Sequence, residues 1–148
     1  RRIKISQGKG EITNMKRNGI LNSDVSRVLS YMGHTDQIAI GDCGLPIPDS
    51  TERIDLALAF GEPPFIRVLE LVLQNMKAEK IILAEEITDQ NPDMLANIQT
   101  LFERQKVDVE FAHTAFKAKT ADCKAVIRTG ETTPYANIIL QSGCIFAD

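Results

Sequence analysis

Short apolar runs separated by stretches of helical period constrain this chain more than any other feature of it. Residues 37–41, 80–85, 107–112 and 124–128 each read as a short β-strand, that from Lys80 to Glu85 a buried one. The segments between several of them carry apolar side chains every three or four positions. Phe65, Val68, Leu69, Val72, Leu73 and Met76 trace such a stripe behind a Pro63-Pro64 entrance, and a second helix, capped at Asn91 with Pro92 in its first turn, reaches about Arg104. Strands that alternate with helices need crossover connections, which run between parallel strands. The sequence therefore predicts an α/β fold, a three-layer α/β/α sandwich around a mainly parallel, mixed sheet.

The remaining segments fit around this frame. Val25, Val28, Leu29 and Met32 continue a helical face from Leu21, with Asn22 or Ser23 as cap and Gly33 as stop. Ile54, Leu56, Leu58 and Phe60 alternate with Asp55, Ala57 and Ala59, the period of a strand, which Gly61 closes. Residues 114–121 suit a short helix, and 138–140 and 144–146 a final pair of strands. Residues 1–14 lack apolar periodicity and are expected to be a disordered leader or added remnant ahead of one domain over 15–148.

A chain of 148 residues, 43% hydrophobic, has enough apolar side chain for one buried core. Its formal charge is -3; the first fourteen residues hold four Lys/Arg and one Glu, which leaves thirteen basic and nineteen acidic side chains, about -6, from Met15 onward. Without a basic cluster interleaved with aromatics, the footprint of phosphate-backbone binding is missing and no nucleic-acid partner is expected. No apolar stretch approaches the roughly 20 residues of a membrane helix, so the expectation is no membrane partner and a cytoplasmic protein. Cys43, Cys123 and Cys144 are too far apart for a zinc or redox motif and read as reduced thiols. HExxH, P-loop and GxGxxG patterns are absent, so neither a metal nor a bound nucleotide is expected, and no GxSxG elbow supports a serine triad.

In open α/β sheets, ligands bind beyond the carboxyl ends of the strands. Asp42, Glu85 with Glu86, and His113 each follow a predicted strand, so a convergent polar crevice is expected there. His34, one of only two histidines, lies just past a helix end, where unpaired carbonyls favour a protonated imidazole and suit a proton donor beside the crevice. Each histidine also has a plain structural reading; for His34 it is a helix-terminating residue bonded to a local carbonyl or to Asp36. The loop from Arg128 to Asn137 either simply turns, or offers Tyr135 and Asn137 to a polyhydroxylated ligand.

The stretches LNSDVS at Leu21, GHTD at Gly33, DCGLPIP at Asp42, RIDLAL at Arg53, AEEI at Ala84 and IRTGETTPYANIIL at Ile127, in this order and spacing, resemble the ribose pyranase and fucose mutarotase family from Met15 to Phe146. That resemblance implies a cofactor-free isomerase that interconverts pyranose and furanose forms of free D-ribose and feeds phosphorylation. It implies His34, in GHTD, as catalytic proton donor, and Asp42, His113, Tyr135, Ala136 and Asn137 as substrate-binding residues. It also implies a homo-oligomeric ring, a pentamer, octamer or decamer, with sites at subunit interfaces. An L-fucose-type mutarotase and a non-catalytic sugar-binding accessory of ribose transport stand as alternatives. Two departures are the segment before Met15 and Cys43, where the pattern leads one to expect alanine.

Overall fold

The computed structural model describes residues 15–113 and 115–145. The expectation for 1–14 lies outside them. In chain order the elements are α1 (Ser23–Tyr31), β1 (Gln37–Gly41), β2 (Glu52–Asp55), α2 (Phe65–Leu73), β3 (Ala78–Ala84), α3 (Ile87–Gln90), α4 (Pro92–Phe102), β4 (Asp108–Ala112), α5 (Phe116–Lys119) with a following 3-10 turn (Thr120–Asp122), β5 (Ala125–Arg128) and β6 (Ile138–Ser142). The strands form one six-stranded sheet in the order β2-β5-β1-β6-β3-β4. Only β6 runs against its neighbours β1 and β3, while the other pairings are parallel. Five carboxyl ends and the amino end of β6 therefore share one edge.

Period-two alternation divides the core between the two faces. Ile38, Ile40, Ile81, Leu83, Ile127, Ile138 and Leu140 pack under α1, α2 and α4, whereas Ala39, Ile82, Val126 and Ile139 face Phe116, Cys123 and Leu45. The layers are the expected three, with the α5 side much the thinner. Among the described residues, no helix is long and apolar enough to cross a membrane.

Local signals hold where side chains satisfy backbone groups. The Asn22 carboxamide accepts from the Val25 N–H at 2.9 Å and starts α1. At α4 the Asn91 side chain accepts from the Met94 N–H, while its amide donates to Thr133 Oγ1 at 2.9 Å and to the Pro134 carbonyl at 2.8 Å, tying the tail loop to this helix. The Phe65 N–H at the head of α2 donates to Glu131 Oε1 at 3.0 Å, a cap supplied from across the molecule.

Two expectations are corrected. The alternation from Ile54 to Phe60 is not a continuous strand: β2 stops at Asp55, whose carboxylate accepts from the Ala57 N–H and pairs with Arg128, so the chain turns away. Leu58 and Phe60 end 83% and 86% exposed on a small hairpin. Gly33 directly follows the extended Met32 that caps α1, and the left-handed residue of the turn beyond it is Thr35, at φ 73°. Residues 144–145 form no strand beyond Ser142, and Phe146 lies outside the described residues.

Cys123 sits in the thinner core, and burial, helped by Asp122, pushes its thiol up to about 12. Cys43 and Cys144 are only half-buried. Titration with a thiol-reactive disulfide at neutral pH is expected to modify those two quickly and Cys123 only after unfolding. Three equally fast thiols would contradict the packing around Phe116.

Candidate functional site

The shared edge holds a crevice. Leu45, Glu86, His113, Lys117, Tyr135 and Asn137 contribute to the wall of a cavity of about 240 Å³. Asp42 follows β1 directly beside it. The Asp42 N–H donates to Asn137 Oδ1 at 2.8 Å and Gly44 N–H donates to Asp42 Oδ1 at 2.9 Å, so the turn after β1 and the loop before β6 hold each other. Gly41 makes this approach possible: a Cβ there would lie 2.5 Å from Leu45 Cδ2 and 3.0 Å from Asn137 Oδ1. Cys43 leaves the turn intact, its N–H donating to the Glu131 carbonyl at 2.9 Å.

Burial raises the Asp42 carboxyl above the ordinary carboxylate range, and hydrogen bonds from Gly44, Asn137 and Leu45 offset part of that rise. His113 Nδ1 lies 2.7 Å from Glu85 Oε2, which leaves Nε2 for a ligand; the His113 side chain is 71% exposed. Tyr135 adopts a left-handed backbone, φ 56°, a conformation uncommon for a bulky residue. Ala136 is fully buried in the main core between Tyr135 and Asn137, so what it can offer a ligand is its backbone. These residues make a polar, concave surface on which several hydroxyls could find donors and acceptors.

His34 does not join them within one chain. It precedes β1, Asp42 follows it, and the five residues of β1 separate the two by roughly 16 Å at about 3.3 Å per residue. The expectation that a helix end would bring His34 beside the crevice fails because α1 and the carboxyl edge lie at opposite ends of that strand. Its structural alternative is also revised: Asp36 accepts from Gly33 N–H, whereas the His34 Nε2 partner is Glu79 Oε1 at 2.9 Å.

Glu86, expected at this edge with Glu85, lines the cavity, and its Oε1 is buried with no hydrogen-bond partner among the described residues. Sequence reasoning missed two other members. Glu131 organises the tail loop: beyond capping α2, its Oε2 accepts from Thr133 Oγ1 at 2.8 Å. Its position in GETTP, among residues prone to side-chain-backbone turns, was the available signal. Lys117 carried no signal, since a short helix of alternating Lys and Ala reads as a solvated face. Among the described residues, no group of three His, Cys, Asp or Glu side chains is arranged to hold a metal ion.

Fold and crevice define an α/β protein whose sheet edge suits a small polar ligand. The chain belongs to the RbsD / FucU transport protein family, whose model matches residues 15–145. It is 51% identical over 132 residues to the D-ribose pyranase of Bacillus cytotoxicus, spanning 89% of this chain and all of that protein. Identity to the D-ribose pyranase of Geobacillus kaustophilus is 54% over 134 residues, covering 90% of this chain and 97% of the relative. The structure of Bacillus subtilis RbsD complexed with D-ribose superposes with a TM-score of 0.83 at 45% identity, over 89% of this chain and 100% of the other.

Proposed function

We propose that this chain is an isomerase of the cytoplasm that interconverts the pyranose and furanose forms of free D-ribose, and thereby supplies the ring form a phosphorylating enzyme consumes. The observation that carries this reading is the polar crevice of Asp42, His113, Tyr135 and Asn137 in a chain about half identical to two D-ribose pyranases. Asp42, His113 and Asn137 hold the hydroxyls, Tyr135 adds its ring and hydroxyl, and Ala136 contributes backbone.

Ring opening breaks the bond between the anomeric carbon and the ring oxygen. A proton arrives at that oxygen, one leaves the anomeric hydroxyl, and the carbon becomes an aldehyde carbonyl. Attack by a different hydroxyl closes the other ring and reverses the transfers. His34 as imidazolium donates the first proton and as neutral imidazole takes one back, so proton transfers suffice. Because His34 and the crevice occupy opposite edges of the sheet, the working site combines His34 of one subunit with the crevice of the next, as a closed homo-oligomeric ring provides.

Saturation-transfer NMR on D-ribose tests the activity directly: catalytic amounts of protein are expected to accelerate ring exchange, and exchange at the buffer rate would sink the proposal. The separation of His34 from the crevice favours one second reading, a sugar-binding accessory that holds ribose without turning it over; that protein binds but leaves exchange unchanged. Comparing exchange rates for D-ribose and L-fucose decides between the two sugars.

Asp42→Asn separates sugar recognition from stability. A carboxyl whose folded value is raised favours the fold most at pH below its ordinary range, and that contribution is lost as pH rises through the raised value. At neutral pH the variant, neutral throughout, is expected to melt no lower than the parent, with parent stability gaining relative to the variant on acidification. Ribose affinity is expected to fall roughly ten- to a hundred-fold, the value of hydrogen bonds to a charged acceptor. Unchanged affinity by calorimetry would remove Asp42 from the site.

A further inference from the structure

At the edge of the sheet opposite the crevice, three strands contribute to one chain of polar side chains. Gln37 Nε2, at the start of β1, donates to Gln141 Oε1 at 3.0 Å; Gln141 Nε2, in β6, donates to Glu79 Oε2 at 2.7 Å; Glu79 Oε1, in β3, meets His34 Nε2 at 2.9 Å. The network has a direction. The Gln141 carboxamide accepts from Gln37 and donates to Glu79, and both Glu79 oxygens are engaged, so the carboxylate cannot turn from the imidazole without breaking a bond to the sheet.

The backbone is shaped for the same contact. The pairing of β3 with β6 shifts register between Ala78 and Lys80, so Glu79 sits on a bulge, the device that re-aims one side chain out of a ladder. Opposite it, residues 33–36 form a tight turn: Asp36 N–H donates to the Gly33 carbonyl at 3.1 Å, and Thr35 N–H donates to the Ser142 carbonyl at 2.9 Å. Thr35 is held at φ 73°, a strained backbone for a β-branched residue that persists where the surroundings over-determine it.

We propose that Glu79 is the positioning residue of His34: it binds Nε2–H, fixes the ring orientation, and leaves Nδ1 as the nitrogen that exchanges protons with the sugar. This rests on the reading of His34 as proton donor. An imidazolium uses both nitrogens as donors, so Nε2–H is held by Glu79 while Nδ1–H faces the ring oxygen. After transfer, the neutral ring keeps its proton on Nε2 and presents the Nδ1 lone pair for the return step. Hydrogen bonds from Gln141 first and His34 second hold Glu79 below the usual carboxylate range, so it stays ionised while the imidazole cycles. The other charged groups nearby are Asp36, which accepts from Gly33 N–H and lies 4.0 Å from Lys124, and Lys77, adjacent to Glu79 on the same segment.

The test is Glu79→Gln beside His34→Ala and the parent, read by saturation transfer over a range of pH and ribose concentration. Glu79→Gln is expected to lower the maximal exchange rate about 10- to 100-fold, what one charge-assisted hydrogen bond contributes, with half-saturation within about twofold. An inactive His34→Ala beside a Glu79→Gln that keeps the parent maximal rate would overturn the role of Glu79 alone; a His34→Ala with parent activity would overturn the reading beneath it. A second measurement needs no variant. Long-range proton-nitrogen correlation spectra of the parent, which has only two histidines, are expected to show neutral His34 protonated on Nε2, and an Nδ1–H tautomer would reject the proposal.

Discussion

Replacing His34 with alanine is expected to slow ring exchange by about 10² to 10⁴, the range one positioned acid-base group contributes, while ribose affinity stays within several-fold. Affinity is expected to survive because the residues proposed to hold the sugar lie beyond the other end of β1. The same separation makes a sharper experiment available. His34→Ala and Asn137→Ala are each expected to be poor catalysts alone, for different reasons. Unfolded together and reassembled, they form interfaces in which an intact His34 of one chain faces an intact crevice of another, and exchange returns. A mixture no better than its components would exclude a site built from two subunits; unaltered exchange in His34→Ala would exclude the imidazole altogether.

Gly130→Ala is expected to be the most damaging single methyl addition in the tail loop. A Cβ there would lie 2.5 Å from the Ala59 carbonyl oxygen, the Glu62 nitrogen and the Glu62 carbonyl oxygen, all backbone atoms of the small hairpin after β2. None of these can swing aside as the tip of a side chain could. Gly130 also donates to the Pro63 carbonyl at 2.9 Å and accepts from the Gly61 N–H at 2.6 Å, so separating the two segments breaks both bonds. Overpacking of this kind costs about 3 kcal/mol, which in a domain of this size lowers Tm by about 10 °C. Glu131 is the next residue, so ribose affinity should fall with stability as the cap on α2 and the Thr133 contact are disturbed. A melting point within about 1 °C of the parent would show that the loops separate at little cost.

The fold was legible wherever both faces of a strand are buried. Residues 38–40 and 81–83 announce themselves because a two-sided core leaves no polar positions to blur the run. The failure from Leu56 to Phe60 has the opposite origin: alternation is a local pattern, but what ends β2 is Asp55 meeting Arg128, 73 residues away. The crevice was legible for the same reason as the strands, since Asp42 and His113 follow them directly. His34 precedes its strand, and a rule about carboxyl ends says nothing of groups at amino ends. Glu79 was invisible because its importance comes from a register shift between β3 and β6, which no single segment encodes.

The reversed strand β6 has a consequence for an assembled ring. It begins beside Asn137, which grips the turn at Asp42, and ends at Gln141 and Ser142, which brace Glu79 and Thr35. In the ring proposed above, each protomer would lend its sugar grip to one reaction chamber and its histidine brace to the adjacent chamber, so that this single rod would be mortised into two chambers at once. Loosening its middle, at Ile139, would unsettle a neighbour's chemistry together with the protomer's own.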